Sequence, residues 1–205
     1  MTDTTRFWWL RHAPTAAQTE GRIPDADAEA DVSGAARLAT LRRRLPARAL
    51  WIASPTRRAV QTVKALTHVR PLMIPALTEQ DFGTWTGQRH ADLWGSGDAA
   101  YRAYWDDPVY KAPPGGESYA AQFARTAAAI RDLTTEHTGL DLILVAHAGT
   151  LRAALALALT EGRQPPPLAA SLGFSIDPLS LTRIDAIGPG WRIGGVNLLS
   201  EDDAR

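Results

Sequence analysis

Two short apolar runs, Phe7-Trp8-Trp9-Leu10 and Leu142-Ile143-Leu144-Val145-Ala146, each stop within two residues of a histidine, and no other feature constrains the fold as tightly. Apolar runs of this length without polar alternation fit strands covered on both faces, as in a parallel sheet between helices. Pro14 ends the first run's pairing. Open sheets of this kind gather ligands at the carboxyl ends of their strands. Arg11, His12 and His147 are therefore expected at one crevice. Cationic and nucleophilic groups placed there call for an anion, and the crevice reads as a phosphate site.

The remaining segments alternate strand and helix. Ser33 is the expected N-cap of a helix carrying Leu38, Leu41 and Leu45, closed by Pro46. Residues 50–53 read as a strand, 56–67 as a helix, and 71–75 as an edge strand because a proline at each end limits pairing. Residues 88–105 read as one helix, followed by a Pro/Gly-rich loop to Gly116. Residues 119–137 form an amphipathic helix with Tyr119, Phe123, Ile130 and Leu133 on one side and Gly139 as terminator. Gly149 opens a helix over 150–159 whose first amides can face an anion. Residues 161–178, with Pro165-Pro166-Pro167, read as a loop. A hairpin follows, with strands at 179–184 and 191–193 around Gly188-Pro189-Gly190. Residues 201–205 are expected to fray. The whole, residues 1–205, reads as a single domain with a three-layer α/β/α architecture: a mostly parallel mixed sheet with antiparallel C-terminal hairpin strands.

Composition excludes several function classes. The chain has 22 basic and 22 acidic residues, a formal net charge of zero, which removes the diffuse attraction that basic surfaces have for nucleic acid. It has no cysteine, so no disulfide framework or thiolate metal site exists, which fits a cytoplasmic protein. The N-terminus lacks a signal-peptide pattern, and the apolar stretches are far short of a membrane span. The expectation is a cytoplasmic protein with no nucleic-acid or membrane partner.

Five stretches occur in fixed order: Leu10-Arg11-His12-Ala13-Pro14-Thr15, Ser54-Pro55-Thr56-Arg57-Arg58-Ala59-Val60-Gln61-Thr62, Leu77-Thr78-Glu79-Gln80-Asp81-Phe82-Gly83, Pro114-Gly115-Gly116-Glu117-Ser118 and Val145-Ala146-His147-Ala148-Gly149. Each alone is a weak signal, but their joint order is specific. Together they resemble the histidine phosphatase superfamily, the phosphoglycerate mutase-like enzymes, over most of the chain. Ala13 and Ala148 stand where that family usually has glycine. Alanine preserves a tight approach, but a positive φ would be costly for it.

The resemblance implies His12 as nucleophile, Glu79 as general acid and His147 as the third catalytic residue, with Arg11, Arg58, Gln18 and Ala148 binding the substrate. Gln18 falls where the family usually has an asparagine on phosphate, and from the residues alone it is equally an exposed loop glutamine. Glu79 is expected beside Phe82 and Trp85. No metal and no cofactor is expected, since two arginines supply the charge and no carboxylate cluster has Mg²⁺ spacing.

The resemblance also implies a lid at about 81–118, in a region rich in aromatic residues. Packing of the lid explains them, and stacking on a planar leaving group is the alternative. His90, in the lid, has no evident partner and reads as a surface residue. Residues 80–118 hold three basic residues (Arg89, Arg102, Lys111) against six acidic ones (Asp81, Asp92, Asp98, Asp106, Asp107, Glu117), a balance of −3 that disfavours seating a second anionic group as a mutase must.

The expected activity is metal-independent hydrolysis of a small phosphate monoester through a phosphohistidine. The short chain and the Pro-Pro-Gly-Gly-Glu-Ser loop resemble the bacterial phosphatase branch that includes α-ribazole phosphatases, which makes α-ribazole 5'-phosphate the leading substrate. Phosphoglycerate mutase-type transfer and a catalytically silent phospho-ligand binder on the same fold are the alternatives. A homodimer is left open.

Overall fold

The computed structural model describes residues 3–160 and 168–199. Its strands are β1 (Thr4–Arg11), β2 (Leu50–Ala53), β3 (Leu72–Met73), β4 (Asp141–Ala146), β5 (Leu181–Ile187) and β6 (Gly190–Leu198). They form one sheet in the order β3-β2-β4-β1-β5-β6. The first four are parallel to their neighbours, while β5 runs antiparallel to β1 and β6 antiparallel to β5. The two histidine-terminated strands are thus adjacent and central. Their register pairs Leu10 with Val145 and Arg11 with Ala146, which puts His12 and His147 side by side one step beyond the ladder.

The helices are α1 (Ala16–Thr19), α2 (Ala35–Arg44), α3 (Arg57–Leu66), α4 (His90–Gly95), α5 (Ala99–Asp106), α6 (Tyr119–Glu136), α7 (Ala148–Thr160) and α8 (Leu168–Leu172). Successive strand side chains point to opposite faces. Leu10, Ala53, Ile143 and Val145 therefore pack on Leu38 and Leu41 of α2 and on Val63 and Leu66 of α3. Phe7, Trp9, Ile52, Leu142 and Leu144 pack on Ile130 and Leu133 of α6 and on Leu151 and Leu155 of α7. Both faces are covered, so polar alternation is absent from these strands.

Five local expectations change. The lid helix expected over 88–105 is broken into α4 and α5, because Gly97 takes φ +74° and the Asp98 carboxylate caps α5 by accepting from Ala100 and Tyr101 N–H. Ser33 does not cap α2; Gly34 occupies that position, and the Ser33 hydroxyl donates to Asp31 at 2.6 Å. A hydrogen bond to a carboxylate is stronger than a neutral cap, so the loop contact wins. The edge strand expected over 71–75 shrinks to β3, and the hairpin strands run longer, through Ile187 and Leu198. Residues 161–167, with the three prolines, and 201–205 lie outside the described residues, and α8 occupies part of the expected loop.

Residues 81–118 dock backbone to backbone. A Cβ on Gly83 would meet Pro114 O at 2.2 Å, and one on Gly116 would meet Asp81 O at 2.2 Å, so only glycine fits either position. The loop after α1 joins the other side of this segment: Ile23 N–H donates to Gln88 O, Gly87 N–H to Ile23 O, and His90 N–H to Gly21 O. Trp85 sits edge-on between Tyr101 and Tyr104, with Ile23, Leu93 and Phe82 around them. Packing thus accounts for these aromatics, whereas Trp94 and Trp105 stay about half exposed, at 57% and 46%.

Candidate active site

His12 follows the last residue of β1 and is buried. Its Nδ1 lies 2.7 Å from Ala13 O, which can only accept, so Nδ1 carries the proton and Nε2 keeps its lone pair. Arg58 Nε donates to that Nε2 at 3.2 Å. Ala13 N–H donates to Thr62 Oγ1, and the Thr62 hydroxyl donates to Arg58 O at 2.7 Å, which ties the His12 loop to α3. Among the described residues only Leu179 and Asn197 are non-glycines with positive φ. Ala13 and Ala148 therefore carry none of the strain that replacing glycine could bring.

His147 packs at 5.1 Å between ring centroids from His12, and its Nε2 is 2.8 Å from Ser54 Oγ and 3.3 Å from Thr56 Oγ1. Its Nδ1 has no partner among the described residues. Burial pushes both histidines well below the ordinary imidazole range; repulsion between the two rings, were both protonated, and the Arg58 guanidinium add to this for His12, and Arg58 and Arg11 add to it for His147. Both rings are therefore neutral near pH 7. Burial also lowers Arg11 and Arg58 from the usual guanidinium value, with Glu79 opposing it, and arginine remains cationic. Arg11 Nη1 is held by Ile176 O and Arg58 Nη1 by Asp25 O.

Glu79 enters from the loop after β3. Its carboxylate accepts from Gln80 N–H at 3.0 Å, Gln122 Nε2 at 3.0 Å and Gly149 N–H at 3.1 Å. The expectation of an apolar setting beside Trp85 is thus corrected: polar donors surround the carboxylate, and Trp85 belongs to the lid cluster. Arg125 fixes the loop by donating to Ala76, Thr78 and Glu79 carbonyls while pairing with Glu117.

A cavity of about 300 Å³ is walled by Arg11, His12, Gln18, Arg58 and Glu79 together with Arg22, Phe82 and His90. A second of about 320 Å³ shares Pro24, Arg58, Glu79 and Phe82 with it. Gln18 Oε1 accepts Thr15 N–H in a capping box at α1, so only its NH₂ end remains for a ligand. His147 and Ala148 lie outside the cavity walls; Ala148 begins α7 and packs against the core. His90 is not partnerless as expected, because its Nδ1 is 2.8 Å from Tyr101 OH. Sequence reasoning missed Ser54, Thr62, Gln122 and Arg125. Gln122 carried a signal, as a polar residue on the buried stripe of α6 with Tyr119 and Ile130.

The two neutral histidines make stability depend on pH with a definite sign. Their folded values lie below the unfolded value of about 6.5, so below that pH the unfolded chain binds more protons than the folded one. Stability is then lost as pH falls through about 6.5, at a limiting slope of ~1.4 kcal/mol per unit for each histidine. Urea midpoints from pH 7.5 to 5.5 should fall, and His147→Gln should flatten the slope. An unchanged slope in that variant would count against a buried neutral His147.

Among the described residues no three His, Asp or Glu side chains converge as metal ligands, and no helix is long and apolar enough to cross a membrane. A family model described as the histidine phosphatase superfamily (branch 1) matches residues 7–198. An adenosylcobalamin/α-ribazole phosphatase of Salmonella typhimurium is 29% identical over 76% of this chain and 80% of its own. A glucosyl-3-phosphoglycerate phosphatase of Mycolicibacterium vanbaalenii is 33% identical over 75% of this chain and 73% of its own. Among solved structures, an α-ribazole phosphatase from Shigella flexneri superposes with a TM-score of 0.82 at 23% identity, covering 95% of this chain and 98% of its own, a likeness of fold.

Proposed function

Because the chain belongs to the histidine phosphatase superfamily, we propose that it hydrolyses a small phosphate monoester without a metal, through a phosphohistidine on His12, with residues 81–118 as lid. The observation that carries this reading is the neutral His12, its Nε2 lone pair on the wall of a cavity that also holds two guanidinium groups and one carboxylate. His12 Nε2 bonds to phosphorus as the bond to the leaving oxygen breaks, and Glu79 delivers a proton to that oxygen. Arg58 turns its donors from Nε2 to the phosphoryl oxygens, and Arg11 and the Gln18 amide supply others. Water then attacks phosphorus, its proton passes to Glu79, and the N–P bond breaks. His147, its Nε2 held by Ser54 and Thr56, backs the ring of His12. Ala148 lies outside the cavity walls, so its place in the substrate-binding set is proposed only through its backbone amide at the start of α7.

For the substrate we favour α-ribazole 5'-phosphate, whose leaving group would be a ribose bearing a planar base. His90 lines both the catalytic cavity and the outer lid face where Trp94 and Trp105 are exposed, which suits a planar group reaching out of the cavity. A second reading, a phosphoglycerate ester bearing a carboxylate, is favoured by Arg22. This cation lines the cavity from outside the lid, while Arg89, Arg102 and Lys111 do not. Phosphate release from both esters and from 3-phosphoglycerate separates these readings. Faster turnover of the α-ribazole ester supports the first. Preference for the carboxylate ester, lost in Arg22→Ala through a raised KM, supports the second. Isomerisation of 3-phosphoglycerate with little phosphate release would favour a mutase. No turnover of any ester would favour a silent binder. Exhaustive chelation should leave turnover within about twofold, since arginines carry the charge; loss with EDTA and recovery with Mg²⁺ would overturn the metal-free mechanism.

A further inference from the structure

The two oxygens of Glu79 are treated unequally. Among the described residues Oε1 accepts all three of the N–H groups from Gln80, Gln122 and Gly149, while Oε2 has only the Gly149 N–H, at 3.3 Å and shared with Oε1. A carboxylate oxygen has two lone pairs, so Oε1 has none to spare for a proton. Two of these donors are backbone amides; the third, Gln122 Nε2, is the one a side chain supplies. Gln122 is fully buried on α6, and its Oε1 has no partner among the described residues. Its Nε2 also reaches Thr78 O at 3.4 Å, but Arg125 at 2.9 Å and Thr150 at 3.2 Å already donate to that oxygen, so the shorter bond to Glu79 is the one this amide is needed for. The opposite orientation of its amide would set two acceptors against each other at 3.0 Å.

We propose that Gln122 is a positioning residue for the proton transfer: by completing the donor set on Oε1 it confines the proton of Glu79 to Oε2, the oxygen left to face the leaving group. This rests on the phosphatase reading above, in which Glu79 donates to the departing oxygen. Its signature is a dependence on the leaving group. An alkoxide must be protonated as it departs, whereas p-nitrophenolate leaves without a proton.

The test compares kcat/KM, which reports the step up to loss of the leaving group, for glycerol 2-phosphate and p-nitrophenyl phosphate. Gln122→Met keeps the length of the side chain and removes the donor. It should lower kcat/KM for the alkyl ester by about 10- to 100-fold and for the aryl ester by less than about threefold, a fraction of what a general acid contributes in full. Inhibition by vanadate should stay as in the wild type, showing the phosphate site intact. Equal losses on the two esters, or no loss on either, would overturn the proposal. Should Gln122→Met fail to fold, Gln122→Asn, one methylene too short to reach Oε1, is expected to give the same selective loss. A wild-type protein that turns over neither ester would instead defeat the phosphatase reading itself.

Discussion

His12→Ala is expected to abolish turnover, by on the order of 10⁴-fold or more, and to remove the covalent phosphoenzyme with it. The size follows from the absence of a substitute. The neighbouring imidazole, His147, has its Nε2 engaged by Ser54 and Thr56 and stands outside the cavity walls. Rapid quench of the wild type with labelled substrate should trap a phosphoenzyme stable to alkali and labile to acid, the behaviour of a phosphoramidate. In His12→Ala both label and product should vanish, while the fold survives because the sheet is held by other residues. A variant that still releases phosphate at a tenth of the wild-type rate would overturn the covalent mechanism.

Gly149→Ala should separate activity from stability. A Cβ at this position would lie 2.3 Å from Glu79 Oε1 and 2.6 Å from Gln122 Oε1, far inside contact distance, so both side chains must move. A catalytic group displaced by about 1 Å costs on the order of 10²-fold in rate. Glycine at helical positions is otherwise less stable than alanine by up to ~1 kcal/mol, so part of the strain is offset. The expected result is a fall of about 10²-fold in kcat for an alkyl phosphate with a melting temperature within a few degrees of the wild type. Wild-type turnover in this variant would mean that Glu79 is not held where the structure places it. The substitution is informative because glycine here looks like helix punctuation in the sequence, whereas its role is to leave room for a carboxylate.

Residues 81–118 divide what a sequence can and cannot say about itself. Their aromatic residues read as packing onto the domain, and Trp85, Tyr101 and Tyr104 do pack with Ile23 from the loop after α1. Their formal balance of −3 says nothing of which charges face the cavity, and the cation that does, Arg22, comes from the loop after α1. The break between α4 and α5 turns on one glycine at φ +74° and one aspartate cap, short-range choices that compete with good helix formers on either side.

The sequence by itself determined the parallel central strands, their histidine ends and the order of the motifs, because unbroken apolar runs and strand-end chemistry are written in adjacent residues. The family resemblance its motifs carry implied Arg58 and Glu79 beside Arg11 and His12, and all four line one cavity. Only the tertiary structure decided the rest. The tautomer of His12 depends on a carbonyl, the environment of Glu79 on α6 and α7, and the room for its carboxylate on the missing side chain of Gly149. Gln122 and Glu79 are 43 residues apart in the chain, yet 3.0 Å apart in space. Hydrogen bonds and close approaches between distant segments follow from how helices pack on the sheet, and no local pattern of residues encodes that packing.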